Sequence, residues 1–231
     1  MAMLILFIAL PIAVLAFLLA RRATKQHMSD LPVGRPGNPE SWEVGPIVRG
    51  FSRTPNVPLR PRRHPGGLAI DIPMGDPDRP EARAGDVRYV TFNPGSLAGR
   101  KRLTLRYRVE LDEGVRLFPW TGPPLPALLT MFLQRAGDDW SAAGKFETYR
   151  WWAGFATVMP IEPGDHELIV ALDGRWTATI SSNAHDHSAA FKAALTHACR
   201  VGFTLGGGDG LGHGICATGP ARLIIQDFLV E

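Results

Sequence analysis

The chain has 231 residues, 45% hydrophobic and 20% charged, enough for one domain with a full core and some appended chain. A net charge of +3 is too small to argue nucleic-acid binding, and two cysteines, Cys199 and Cys216, make neither a disulfide framework nor a Cys-x-x-Cys pair. With 25 glycines and 20 prolines, about a fifth of the chain, the composition favours many short strands over long helices.

The first element is apolar. Ala2 to Ala20 runs without a charge, long enough to cross a hydrocarbon layer of about 30 Å as a helix. Arg21 and Arg22 come directly after it, and no basic region or cleavage pattern of a signal peptide is present. We therefore expect an uncleaved transmembrane anchor over 1–22. From Arg21 to Arg63, nine basic residues face only Asp30, Glu40 and Glu43. This flanking charge favours a cytoplasmic position for the C-terminal side of the anchor, in a bacterial inner membrane, with a periplasmic position as the alternative. Arg21, Arg22 and Lys25 are placed to meet anionic lipid heads.

Residues 23–84 are rich in proline, glycine and arginine and read as a linker and extension. Trp42, Ile47 and Phe51 are too apolar for a free linker and are expected to lie on the C-terminal domain. Leu68 to Ile72 alternates and stops at Pro73, as an edge strand does. Arg60, Arg62, Arg63 and His64 form a basic cluster without interleaved aromatics, fitting lipid heads or an acidic partner.

From 85 to 231 strands and turns alternate. Val87 to Phe92 ends at Asn93-Pro94-Gly95. Leu103 to Leu111 alternates with period two: Leu103, Leu105, Tyr107, Val109 and Leu111 against Thr104, Arg106, Arg108 and Glu110. Val115 to Phe118 starts the next strand. Leu128 to Gln134 and Lys145 to Ala153 form a hairpin around a charged, aromatic turn, and the other strands read as laid beside it. His166 to Leu172 and Arg175 to Ile180 are two further strands. Ser188 to Cys199 places Phe191, Ala194, Leu195 and Ala198 on one helical face, with Ser188 as N-cap and Arg200 suiting the helix dipole. Val201 to Leu205 and Arg222 to Val230 close the fold, the last as an interior strand. The predicted class is mainly β: a two-sheet antiparallel β-sandwich (jelly roll) with one short helix, preceded by a single transmembrane helix.

The run from about Tyr89 to Glu231 resembles the galactose-binding-like jelly rolls of many carbohydrate-binding modules. The carriers are RLTLRYRVE, GDHELIVALDGRWT, the helix with RVGFTLGG, and GPARLIIQDFLVE. The resemblance implies ligand binding at end loops or on a concave face, and a structural calcium as the one candidate cofactor. Likeness of fold alone does not transfer function.

Trp120, Trp140, Tyr149, Trp151 and Asp139 are the candidate ligand- or partner-binding residues. Flat rings stack on sugar faces and are equally at home in protein interfaces. Trp120 and Trp140 sit in turns and are expected to be exposed; Trp151 and Trp152 must face opposite sides of a strand. Asp138 and Asp139 read as a solvated turn, and Asp138, Asp139, Glu147 and Glu110 show no spacing that marks a catalytic carboxylate pair. His185-Asp186-His187 with His213 and Cys216 is a weak metal pattern, so no metal site is expected. Gly206 to Gly214 reads as a flexible loop without the lysine of a phosphate loop. The expected function is a non-catalytic, single-pass accessory subunit of an inner-membrane protein complex, for instance a respiratory or photosynthetic one. The alternative is a membrane-anchored glycan-binding module facing the periplasm.

Overall fold

The computed structural model describes residues 32–54, 56–79, 85–120, 125–179, 182–208 and 210–231. The expected anchor and the lipid-facing Arg21, Arg22 and Lys25 lie outside these residues. Among the described residues, no helix is long and apolar enough to cross a membrane.

The strands begin with β1 (Trp42–Gly45), β2 (Ile47–Val48), β3 (Phe51–Ser52), β4 (Arg62–His64), β5 (Gly67–Asp71) and β6 (Tyr89–Phe92). Then come β7 (Arg102–Leu111), β8 (Leu117–Pro119), β9 (Leu128–Arg135), β10 (Arg150–Trp152), β11 (Met159–Pro160), β12 (Gly164–Ala171) and β13 (Thr177–Ala178). Helix α1 (Ser188–Thr196) precedes β14 (Ala198–Gly206), β15 (Ile215–Ala217) and β16 (Ala221–Val230). A seven-stranded sheet runs β1-β6-β14-β9-β10-β13, with β11 also on β9; a five-stranded sheet runs β12-β7-β16-β5-β4. Two small ladders, β8 with β15 and β2 with β3, complete the pairing. All named strand pairs are antiparallel, and the chain is mainly β, consistent with a β-sandwich.

Both large sheets feed one core. Leu103, Leu105, Tyr107 and Val109 of β7 meet Leu129, Met131 and Leu133 of β9 and Val201, Phe203 and Leu205 of β14 in a single buried cluster. Trp42, Phe92 and Phe228 pack at centroid distances of 4.8, 5.7 and 5.4 Å, joining β1 and β6 of one sheet to β16 of the other. The Trp42 indole N–H donates to Pro36 O at 2.6 Å, so its polar edge is satisfied inside the core. Phe191 of α1 packs between Trp151 and Trp176, at 5.0 and 6.0 Å.

Several expectations shift. The segment 23–84 is more than a linker over its described part: β1 extends one sheet, and β4 and β5 extend the other. Trp42 and Ile47 are buried, but Phe51 is 72% exposed. Strand β5 lies between β16 and β4, so it is interior where the proline had suggested an edge. The 145–149 part of the expected hairpin arm is a 3-10 turn, and only Arg150–Trp152 pairs with β9. Helix α1 starts at Ser188 behind His187, which makes no side-chain cap, and it ends before Ala198 because the chain there joins β14. Arg200 serves no helix dipole; it pairs with Glu43 at 2.9 Å in a buried position.

Strand β16 is interior as expected, but its faces are not those of strict alternation. Its register on β7 skips at Gln226, between Ile225 and Asp227. Leu223 and Ile225 precede this bulge, Phe228 comes after it, and all three enter the core. The extra residue reverses the parity and turns Asp227 away from the core. Gly67 accommodates the bulge: it holds a φ of 138°, and a Cβ there would collide with the Ile225 carbonyl.

Candidate binding site on the outer face of the seven-stranded sheet

The two sheets differ on the faces turned away from the core. On the five-stranded sheet the outer face is a solvated ladder of ion pairs. Arg106 Nε meets Glu167 at 2.6 Å, Arg108 grips Asp165 through two bonds of 2.8 Å, and Asp71 accepts from Arg62 and Arg222. Such exposed, solvent-screened pairs contribute little and describe a water-facing surface.

The outer face of the seven-stranded sheet is covered. Register aligns Thr91, Gly202, Phe132, Trp152 and Thr177 across it, with Gln134 opposite both Arg200 and Arg150. Phe132 and Thr204 are fully buried, and Gln134, Thr91, Arg150, Arg200 and Glu43 nearly so. A chain of rings crosses the face: Trp152 to Phe132 at 5.2 Å, Phe132 to Tyr89 at 4.9 Å, and Tyr89 to Trp140 at 5.6 Å. Trp140 folds back from the turn after β9, and the Arg150 guanidinium lies 4.9 Å from its ring centroid. These ring contacts contribute about 0.5–1.5 kcal/mol each beyond area burial. Burial pushes the Tyr89 phenol up, so it stays protonated.

Asp138 is the anion of this face. Its Oδ2 lies 3.0 Å from Arg150 Nε and accepts from Gln134 Nε2 at 2.8 Å; its Oδ1 accepts from Trp140 N at 3.1 Å. Burial pushes the Asp138 carboxyl up, while Arg150, Gln134 and Trp140 pull against it. The reading of Asp138 as a solvated turn residue is therefore corrected, since the carboxyl is buried under the turn. Trp140 Nε1, Trp152 Nε1, Arg150 Nη2 and Gln134 Oε1 are buried without a protein partner among the described residues. Each such group costs about 1–3 kcal/mol while unmet, roughly twice what a ring contact contributes.

The five predicted site residues are not brought together. Trp140 is half-buried and lines this face. Asp139, next to it, is exposed and accepts from Ser141 N at 2.8 Å. Tyr149 is half-buried on the same turn, under the Arg135 guanidinium at 4.6 Å. Trp151 is fully buried on the core side of β10 and donates to Thr148 O; it presents no surface to a ligand. Trp120 is 42% exposed at the end of β8, fixed by its N–H to Gly214 O and by His213 at 6.3 Å. Leu125, also 42% exposed, and Pro119 flank Gly207 and Gly208 beside it. The expected flexible loop is packed where Gly212 lies flat against the Tyr89 ring, at a φ of 87° that leaves no room for a side chain.

The residues that sequence reasoning missed are Tyr89, Phe132, Gln134 and Arg150; Trp152 enters there only as the partner facing away from Trp151. One signal was present: the strand Leu128 to Gln134 carries Thr130, Phe132 and Gln134 on the side that Leu129, Met131 and Leu133 leave. The Glu43–Arg200 pair, far apart in sequence, had none. Among the described residues, no group of three or more His, Cys, Asp or Glu is placed to hold a metal ion. Glu110 lies 3.4 Å from Arg222 as part of the ion-pair ladder. Compared with protein-family models, curated proteins and solved structures, the chain matches none, so the resemblance to galactose-binding-like modules rests on the quoted runs alone.

Proposed function

We propose that the chain is a non-catalytic accessory subunit of a bacterial inner-membrane complex, tethered by a single N-terminal span and holding its partner through a jelly-roll head. The observation that carries this reading is the Trp120 corner. Pro119 and the exposed Leu125 flank the Gly207–Gly208 turn, and the exposed Trp120 follows Pro119, on backbone pinned by the β8–β15 ladder. Rigid exposed aromatics beside apolar neighbours are the usual anchors of protein interfaces. The outer face of the five-stranded sheet carries Ile169, 52% exposed, but is otherwise dominated by ion pairs. Adhesion, with no bond made or broken, is what such a head contributes.

Native membranes solubilised in mild detergent test this. The full chain is expected to travel with other membrane proteins. Trp120→Ala is expected to release them while leaving the melting temperature of the head unchanged. Recovery of the chain only as a free monomer would sink the reading. A reporter fused after Glu231 fixes the side of the membrane, with the cytoplasm expected from the flanking charge.

A further inference from the structure

A sheet edge with free N–H and C=O groups is a template for another strand, and folded proteins shorten, cover or interrupt their edges. The two large sheets do so at most of theirs. Val44 N of β1 donates to Leu59 O, and Arg60 reaches Trp42 O. Strands β11 and β13 have two residues each, and β4 has three, between Pro61 and Pro65. Among the described residues, β12 is the exception: eight residues without a proline, paired to β7 in unbroken register. Leu172 N donates to Lys101 O, which fixes the parity of this ladder. His166, Leu168 and Val170 therefore bond toward β7, while Asp165, Glu167 and Ile169 turn their N–H and C=O outward. Among the described residues no other backbone group bonds to these three. The open run stops at Ala171, whose carbonyl accepts from Trp176 Nε1. All three outward residues are exposed.

We propose that this edge adds, as a further strand, an extended segment of a partner protein with basic side chains at alternate positions. The proposal uses none of the residues of the Trp120 corner and goes beyond it. Unpaired peptide groups select an extended backbone. Charge selects the side chains. Asp227, Arg106 and Glu167 stand opposite one another across β16, β7 and β12, and Arg108 and Asp165 belong to the next row. Both rows end at the edge on a carboxylate. Arg106 engages one oxygen of Glu167, whose side chain is 43% exposed, and the other oxygen is open to a cation on an added strand. Ile169, 52% exposed, ends the run beside a cleft of about 100 Å³ lined by Gly154, Thr157, Val170 and Trp176, where an apolar side chain of the segment fits. A second copy of this chain is the poorer occupant. The antiparallel register that uses the whole run sets Glu167 opposite Glu167, and like charges directly opposite destabilise a strand pair.

The test titrates the full chain, in mild detergent, into a dye-labelled peptide of about nine residues alternating Lys and Val, the length of one strand. Fluorescence anisotropy is expected to show saturable binding. A peptide alternating Glu and Val, and the Lys peptide with every backbone nitrogen methylated, are expected not to bind. Glu167→Pro removes an N–H that the β7 ladder does not use and is expected to weaken the Lys peptide by about tenfold or more. Glu167→Lys, a change at an exposed side chain, is expected to reverse the preference and take the Glu peptide; this swap decides the matter if the proline variant fails to fold. No binding of the Lys peptide, equal binding of its methylated form, or a preference unchanged by Glu167→Lys overturns the proposal. A dimer of the chain that Glu167→Pro disperses also overturns it and gives the edge to a second copy. If the peptide fails to bind while Trp120→Ala still releases the co-purifying proteins, this edge fails and the partner-binding reading stands.

Discussion

The Asp138–Arg150 pair is nearly closed to water, with side chains 0% and 8% exposed. A buried pair of this kind gives little net stability, because desolvation consumes most of the attraction. Breaking it is another matter, because Arg150 is then left buried with its charge uncompensated. Asp138→Ala is expected to cost about 3–5 kcal/mol, read from the urea midpoint at unchanged slope. Asp138→Asn keeps an acceptor for Trp140 N and is expected to cost less. A loss below about 1 kcal/mol in the alanine variant would mean that Arg150 finds water, and that the outer face opens in solution. Other buried groups obey the same burial rule. The Cys199 thiol is pushed up to about 11 by burial, which keeps it an inert thiol at neutral pH. The Tyr107 phenol is pushed up to about 12 by burial and remains protonated.

Strand β16 ties the N-terminal strands of the five-stranded sheet to the rest of it. It pairs with β7 along nearly its whole length and with β5 along its first half. Its bulge brings Phe228 back to the core side, where Phe228 meets Trp42 and Phe92. That arrangement requires a neighbour without a side chain, and Gly67 supplies it. Gly67→Ala is expected to destabilise by more than about 1 kcal/mol, since both the positive φ and the approach of the Ile225 carbonyl oppose a Cβ. Gly99 also has a positive φ but nothing within 4 Å of its would-be Cβ, so Gly99→Ala serves as the control and is expected to cost less. Equal midpoints for the two variants in denaturant would refute the role given to the bulge.

For the molecule as a whole, the domain does not start at residue 85. A chain of 85–231 lacks β1, β4 and β5, and with them Trp42, Val44, Leu68 and Ile70 from the core. It is expected to show no cooperative unfolding, whereas a chain of 32–231 is expected to melt in one transition; an 85–231 fragment that unfolds cooperatively would contradict this. The response to acid is also a property of the whole surface. Asp71, Asp165, Asp173 and Glu231 lie below their ordinary carboxylate values because Arg62, Arg108, Arg175 and Arg102, respectively, donate hydrogen bonds to them. Each group therefore binds protons more tightly in the unfolded chain, so stability rises with pH across the window. The contribution is complete above the unfolded values near pH 4 and is lost as pH falls through the lower, folded ones. Melting temperatures are expected to fall from about pH 5 downward, less steeply in about 1 M salt, where exposed pairs are screened. A melting temperature that climbs on acidification at low salt would show that these pairs do not govern the response.

The β class, the alternating faces of β7, the helix around Phe191 and the closing strand could all be read from the chain itself. Each depends on a period of two or 3.6 residues, and such a period is complete within one element. Other features depend on residues distant in sequence, and only the tertiary structure decided them. Whether Leu68 to Asp71 is edge or interior depends on Arg62–His64 closing over it. Whether Asp227 faces the core depends on one extra residue that strict alternation cannot announce. Whether Trp140 stands free or lies on Tyr89 depends on which side of β9 is covered, and β6, β14 and β10 settle that together. Alternation separates the two faces of a strand, but burial of a face depends on elements that meet only when the chain is folded.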